Sequence, residues 1–131
     1  MHIDHIGIAT KQISKALSVW VDALGLIVES TEEVAEQGVR VAMLPIGETR
    51  VELLEPLSDD SPVGRFLEKR GPGIHHVAIR VNDSRAELSR LRESGARLID
   101  ETPRVGVGGC LVAFVHPSST GGVLLELVER N

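Results

Sequence analysis

The chain repeats itself. Asp4-His5-Ile6-Gly7-Ile8-Ala9 returns as His75-His76-Val77-Ala78-Ile79-Arg80, an offset of 71 residues. Both runs alternate and are rich in β-branched residues, so both read as strands. Helical spacing follows each. Ile13, Ala16, Leu17, Trp20 and Leu24 predict a helix over roughly residues 12–24. Ala86, Leu88 and Leu91 predict another over roughly 83–94, with Asp83 or Ser84 as its N-cap. Gly25 and Gly95 are helix stops. Three strands then follow in each half: Leu26–Ser30, Val39–Pro45 and Arg50–Glu55, then Ala96–Asp100, Cys110–His116 and Val123–Glu129. Gly47-Glu48-Thr49 and Gly121-Gly122 supply turns.

Each half therefore reads βαβββ. Residues 58–73 join them: an Asp/Ser-rich start, a short helix near 62–70, then Gly71-Pro72-Gly73. Neither half could bury one face of its sheet alone. The expectation is one α+β domain over residues 1–131, with modules at about 1–57 and 74–131. The glycines at 106, 108 and 109 predict a mobile loop near the open end of the sheet.

Composition narrows the function. Trp20, Phe66 and Phe114 are the only aromatics, so base stacking on single-stranded nucleic acid is not expected. A net charge of −5 argues against phosphate-backbone binding but leaves room for an anionic small molecule. Cys110 is the one cysteine; in the apolar run Cys110-Leu111-Val112-Ala113-Phe114-Val115 it reads as a buried strand residue, not a nucleophile. No apolar run has the length of a membrane span, and Met1-His2-Ile3-Asp4 does not open a signal peptide, so a cytoplasmic enzyme is expected.

Four polar residues interrupt apolar strands. Side chains alternate along a strand, so Ile6 and Ile8 share one face and His5 and Gly7 the other. Val77, Ile79 and Val81 likewise oppose His76, Ala78 and Arg80. The residue two past each histidine is small, Gly7 or Ala78, as a face that must admit a ligand requires. Val51 and Leu53 flank Glu52; Leu125 and Leu127 flank Glu126. A buried carboxylate needs a partner. One divalent metal bound by His5, Glu52, His76 and Glu126 answers for all four. Any one such residue alone reads as hydrogen-bonded core or solvated surface; the repeated placement is what points to a metal. His2, His75 and His116 have weaker claims, and Glu55 and Glu129 read as exposed or rim residues. Arg65, Lys69, Arg70 and Arg104 read as solvated surface charges.

The paired βαβββ pattern with its His/Glu set resembles the vicinal oxygen chelate superfamily, also called the glyoxalase/bleomycin resistance/dioxygenase superfamily. Within it, the chain is most similar to the methylmalonyl-CoA epimerase family. The resemblance is carried by Asp4–Ala9, Gln37-Gly38-Val39, Val51–Leu57, Asp60–Val63 with Phe66-Leu67, Gly73–Ala78 and His116–Leu127. It implies a curved mixed sheet around a metal site held by His5, Glu52, His76 and Glu126, where the family uses Gln or Glu at position 52. It implies a homodimer and an acyl-CoA substrate, with (2R)- and (2S)-methylmalonyl-CoA interconverted ahead of a cobalamin-dependent mutase in propionyl-CoA metabolism. Two imidazoles and two carboxylates suit Co, Mn, Ni, Fe or Zn.

Epimerisation needs an acid/base on each side of the α-carbon. Some family members carry a glutamate two residues after Gln-Gly-Val; this chain has Val41 there. The expectation is that Glu52 and Glu126 are bases as well as ligands, with a water or Glu36 as the other source of a second base. The alternatives are glyoxalase I, whose bacterial forms resemble this chain in a His, Glu, His, Glu set, and a metal-free small-molecule binding protein of the same fold. An iron dioxygenase keeps two histidines and one carboxylate, and the second carboxylate here argues against it.

Overall fold

The computed structural model describes residues 1–131. Its elements are β1 (His2–Ala9), α1 (Ile13–Leu17), β2 (Ser30–Val34), β3 (Val39–Ile46), β4 (Thr49–Pro56) and α2 (Pro62–Arg70). They continue with β5 (Gly73–Arg80), α3 (Ser84–Glu93), β6 (Arg104–Val105), β7 (Leu111–Val115) and β8 (Leu124–Glu129). Two compact units result: His5–His75, and His76–Asn131 together with Met1–Asp4. The architecture is α+β, and each unit has one parallel strand pair and antiparallel pairs.

In the His5–His75 unit the strand order is β2-β3-β4-β1. β1 pairs parallel to β4, placing Ile8 beside Leu53 and Gly7 beside Glu52. Alternation then separates two faces. Ile13 of α1 packs with Ala42, Leu44, Val51 and Leu53, joined by Ile8, Ala16, Leu17 and Trp20. Leu54 and Val39 instead pack with Ala9, and with Val63, Phe66 and Leu67 of α2. α1 runs on as a π-helical stretch, Ser18–Ala23. α2 begins where expected: Pro62 occupies the first turn, and the Ser61 hydroxyl accepts the Gly64 N–H at 3.1 Å.

In the other unit the order is β5-β8-β7-β6. α3 starts at an Asp83 cap, whose carboxylate accepts the Ala86 N–H at 3.1 Å. Leu88 packs with Val81, Ala113 and Leu127 beneath it. Ala78, Cys110, Val112 and Val128 form a second cluster.

Two expected strands shift. In the run Leu26–Ser30 only Ser30 belongs to β2, although the Glu29 N–H already donates to Met43 O at 2.8 Å; Leu26 and Val28 instead pack against the cluster around Ile13 of α1. The run Ala96–Asp100 keeps only the bridge Leu98↔Val115. There the Ile99 and Asp100 N–H groups both donate to Phe114 O, at 2.9 and 3.2 Å, and the Asp100 carboxylate accepts the Phe114 N–H at 2.8 Å. A carboxylate thus takes the place of a strand ladder, and β6 pairs with β7 further on. Cys110 is buried as expected but lies just before β7, its thiol 3.1 Å from Val107 O. No helix is long and apolar enough to cross a membrane.

Candidate metal centre

The same construction occurs once in each unit. In the first, Gly7 lies beside Glu52 across the parallel β1/β4 pair. His5, two residues back on the same face of β1, reaches the glutamate diagonally past a position with no side chain. His5 Nε2 and Glu52 Oε2 are 3.5 Å apart. In the second unit Ala78 lies beside Glu126 across β5/β8, and His76 Nε2 stands 3.6 Å from Glu126 Oε1. His5, His76 and Glu126 are each less than a tenth exposed, and the Glu52 side chain is 15% exposed.

These separations fit a shared ion. They are long for a charge-assisted hydrogen bond. Two ligand bonds of about 2.0–2.2 Å meeting at tetrahedral or octahedral angles hold their donor atoms roughly 3.0–3.5 Å apart. The donor set, neutral imidazole plus carboxylate, suits a divalent transition metal. Burial adds a reason: an ionised carboxylate taken from water needs a compensating charge.

All four predicted ligands thus fall in two matched pairs, His5 with Glu52 and His76 with Glu126. The weaker histidines go elsewhere. His2 is exposed, and His75 packs edge-on against Phe66 with ring centroids 5.0 Å apart. His116 takes the Ser118 N–H on Nδ1 at 3.0 Å, closing the turn Pro117–Ser119.

Two expectations are corrected. Glu55 and Glu129 are not exposed rim residues; each ties the end of its strand to the start of a helix. Glu55 Oε1 accepts the Ile13 N–H at 2.8 Å, and its other oxygen meets Arg40 at 2.5 Å. Glu129 Oε1 accepts from the Ser84 N–H at 2.6 Å and the Ser84 hydroxyl at 2.9 Å. Each lies three residues past a candidate ligand, Glu52 or Glu126, so the repeat itself was a signal for both. Asp4 was missed altogether. It is 2% exposed, and Arg130 grips its two oxygens at 2.8 Å each, with Arg80 Nε at 3.3 Å. Its place beside Ile6 and Ile8 on the apolar face of β1 was the available sign.

Comparison with known proteins agrees with this reading of the fold. The sequence model of the Glyoxalase/Bleomycin resistance protein/Dioxygenase superfamily matches residues 4–114. The mitochondrial methylmalonyl-CoA epimerase of Bos taurus is 37% identical over 128 residues, 97% of this chain and 73% of the relative. The crystal structure of methylmalonyl-CoA epimerase from Mycobacterium tuberculosis is 41% identical, covers 99% of this chain and 88% of its own, and superposes with a TM-score of 0.88. A methylmalonyl-CoA epimerase solved with methylmalonyl-CoA and ammonium is 40% identical, covers 98% and 93%, and has a TM-score of 0.88. This protein therefore belongs to the glyoxalase/bleomycin resistance/dioxygenase superfamily, and within it to the methylmalonyl-CoA epimerase family.

Proposed function

We propose that this protein is a metal-dependent epimerase that interconverts (2R)- and (2S)-methylmalonyl-CoA. The observation that carries the reading is the repeated histidine–glutamate pair, at 3.5 and 3.6 Å, in a chain of this family. His5, Glu52, His76 and Glu126 together hold one divalent ion, and the two modules act as a single domain.

The substrate's α-carbon sits between a thioester and a carboxylate, which makes its proton acidic. A divalent metal, when bound, supplies Lewis-acid stabilisation of the negative charge that develops on deprotonation. Glu52 and Glu126 act as the two acid/base groups. One carboxylate removes the α-proton; the other delivers a proton to the opposite face, and the centre inverts. Val41 supports assigning Glu52 this second role. It packs beside the Leu54 and Phe66 cluster, so no carboxylate projects from that position of β3. Met43 lies directly opposite Glu52, and Phe114 opposite Glu126, so each carboxylate has an apolar cross-strand neighbour.

The enzyme takes an acyl-CoA thioester and works as a homodimer. Its single thiol is buried and unpaired, which fits a reducing compartment, and we place it in the cytoplasm. The test uses protein loaded with a divalent metal and one methylmalonyl-CoA isomer in deuterated water. Deuterium at the α-carbon together with the opposite isomer is expected. Neither product appearing, with lactoylglutathione formed from methylglyoxal and glutathione, would overturn the reading in favour of glyoxalase chemistry.

A further inference from the structure

We infer that Arg104 receives an anionic group of the acyl-CoA substrate, a carboxylate or a phosphate, on the sheet face that carries Glu126. The inference rests on the epimerase reading and adds a substrate-binding residue to it. Register places the side chain. β6 pairs antiparallel to β7 with Arg104 opposite Val112, and Phe114, two residues on, is opposite Glu126. Residues opposite one another in an antiparallel ladder share a face, and alternate residues of β7 do too. Arg104, Val112, Phe114 and Glu126 therefore project from one side of the sheet.

The guanidinium is held in place without being consumed. Its carbon lies 5.5 Å from the centroid of the Phe114 ring, within cation–π range. Its Nε faces Asp100 Oδ1 at 3.5 Å, and Asp100 is itself anchored by the Phe114 N–H. The two terminal nitrogens make no hydrogen bond within the protein, and the side chain is 58% exposed. A planar fork oriented along one edge and open along the other suits two-point contact with carboxylate or phosphate.

The repeat supplies a contrast. In the first module the corresponding edge position is Glu32, opposite Val41 as Arg104 is opposite Val112. One module edge is thus acidic and the other cationic, and an anion is drawn to the second. Two other arginines, Arg65 and Arg70, are otherwise disposed. Arg65 Nε donates to Asp60 O at 2.9 Å, and Arg70 lies over Phe66. Both are on α2.

The test compares wild-type protein with Arg104→Gln, Arg104→Lys and Arg85→Gln, the last an exposed arginine of α3. Arg104→Gln is expected to raise KM for methylmalonyl-CoA on the order of tenfold with kcat little changed, as loss of a charge-assisted contact equal in ground and transition states requires. Arg104→Lys recovers part of the loss, and Arg85→Gln has no effect. A methylmalonyl thioester of pantetheine, which lacks the nucleotide phosphates, locates the anion. A penalty that persists assigns the carboxylate; one that disappears assigns a phosphate. An unchanged KM in Arg104→Gln overturns the inference. Calorimetric titration with methylmalonyl-CoA separates it from the functional reading. Wild-type binding without epimerisation removes the reading, while the affinity ratio of wild type to Arg104→Gln still decides Arg104. No acyl-CoA binding at all removes both.

Discussion

Glu129 holds the start of α3 from the end of β8: one carboxylate oxygen accepts both the backbone N–H and the hydroxyl of Ser84. Ser84 is completely buried, so neither group has water as a substitute. Glu55 does the same for Ile13 in the first module, where Arg40 shares the carboxylate. Glu52 and Glu126 are thus each followed, three residues later, by a glutamate that fixes strand to helix. Glu129→Ala is expected to destabilise the protein by about 1–3 kcal/mol, the cost of leaving buried donors unpaired. Urea unfolding measures it, and a midpoint matching wild type would show the tie to be dispensable.

Glu52→Gln separates ligand from base. The amide oxygen still donates a lone pair to a metal, but it cannot take a proton at neutral pH. Metal content by elemental analysis is expected to stay near wild type, while epimerisation falls on the order of a hundredfold or more, the usual scale for general-base loss. Exchange of the α-proton of one isomer with deuterium persists through Glu126. Full epimerase activity in this variant would exclude Glu52 as a base.

Metal removal should be visible in stability as well as activity. An ion that binds only the folded chain adds RT ln(1 + [L]/Kd), about 2.7 kcal/mol at a hundredfold excess over Kd. Chelation is expected to lower the thermal midpoint and re-addition of a divalent ion to restore it. His76→Ala, which breaks the pair with Glu126, should flatten that response.

Gly64 cannot carry a side chain. A Cβ there would lie 2.5 Å from Ser58 O and 2.6 Å from Asp59 O, both backbone atoms that cannot turn aside. Gly64→Ala gains about 1 kcal/mol of helix propensity. The clash costs more, typically about 1–3 kcal/mol, so the variant is expected to be net destabilised in denaturant melts. The result would separate packing from propensity at this helix.

Asp60 introduces a weak acid dependence. The Ser58 hydroxyl, first, and its own backbone N–H lower the carboxyl pKa from the ordinary aspartate value. A lowered folded pKa means a contribution present above the unfolded pKa and lost as pH falls through the folded one. Asp60→Asn should therefore be slightly less stable than wild type at neutral pH, with the gap closing in acid. Paired melts across that range check the sign.

Much of this was legible from residues alone. α2 occupies Pro62–Arg70 where the sequence predicts a helix near 62–70, because Ser61, Pro62 and Gly71 mark its ends locally. Asp83 caps α3 for the same reason. The strand from Leu26 was displaced because a short apolar run looks the same whether it pairs or merely packs. Glu55 and Glu129 were misread because their partners, Ile13 and Ser84, lie far away in the chain.

What the amino-acid order determined by itself was the repeat, the face on which each strand residue lies, and the presence of one histidine and one glutamate inside the apolar strands of each half. These follow from period-two alternation and from the cost of burying charge, both local properties. Tertiary structure alone decided the parallel register that brings Gly7 beside Glu52 and Ala78 beside Glu126. It also decided the loss of a strand to the Asp100–Phe114 contact and the edge on which Arg104 stands. Register and edge position depend on which strands meet, and no alternation pattern within one strand encodes its neighbour.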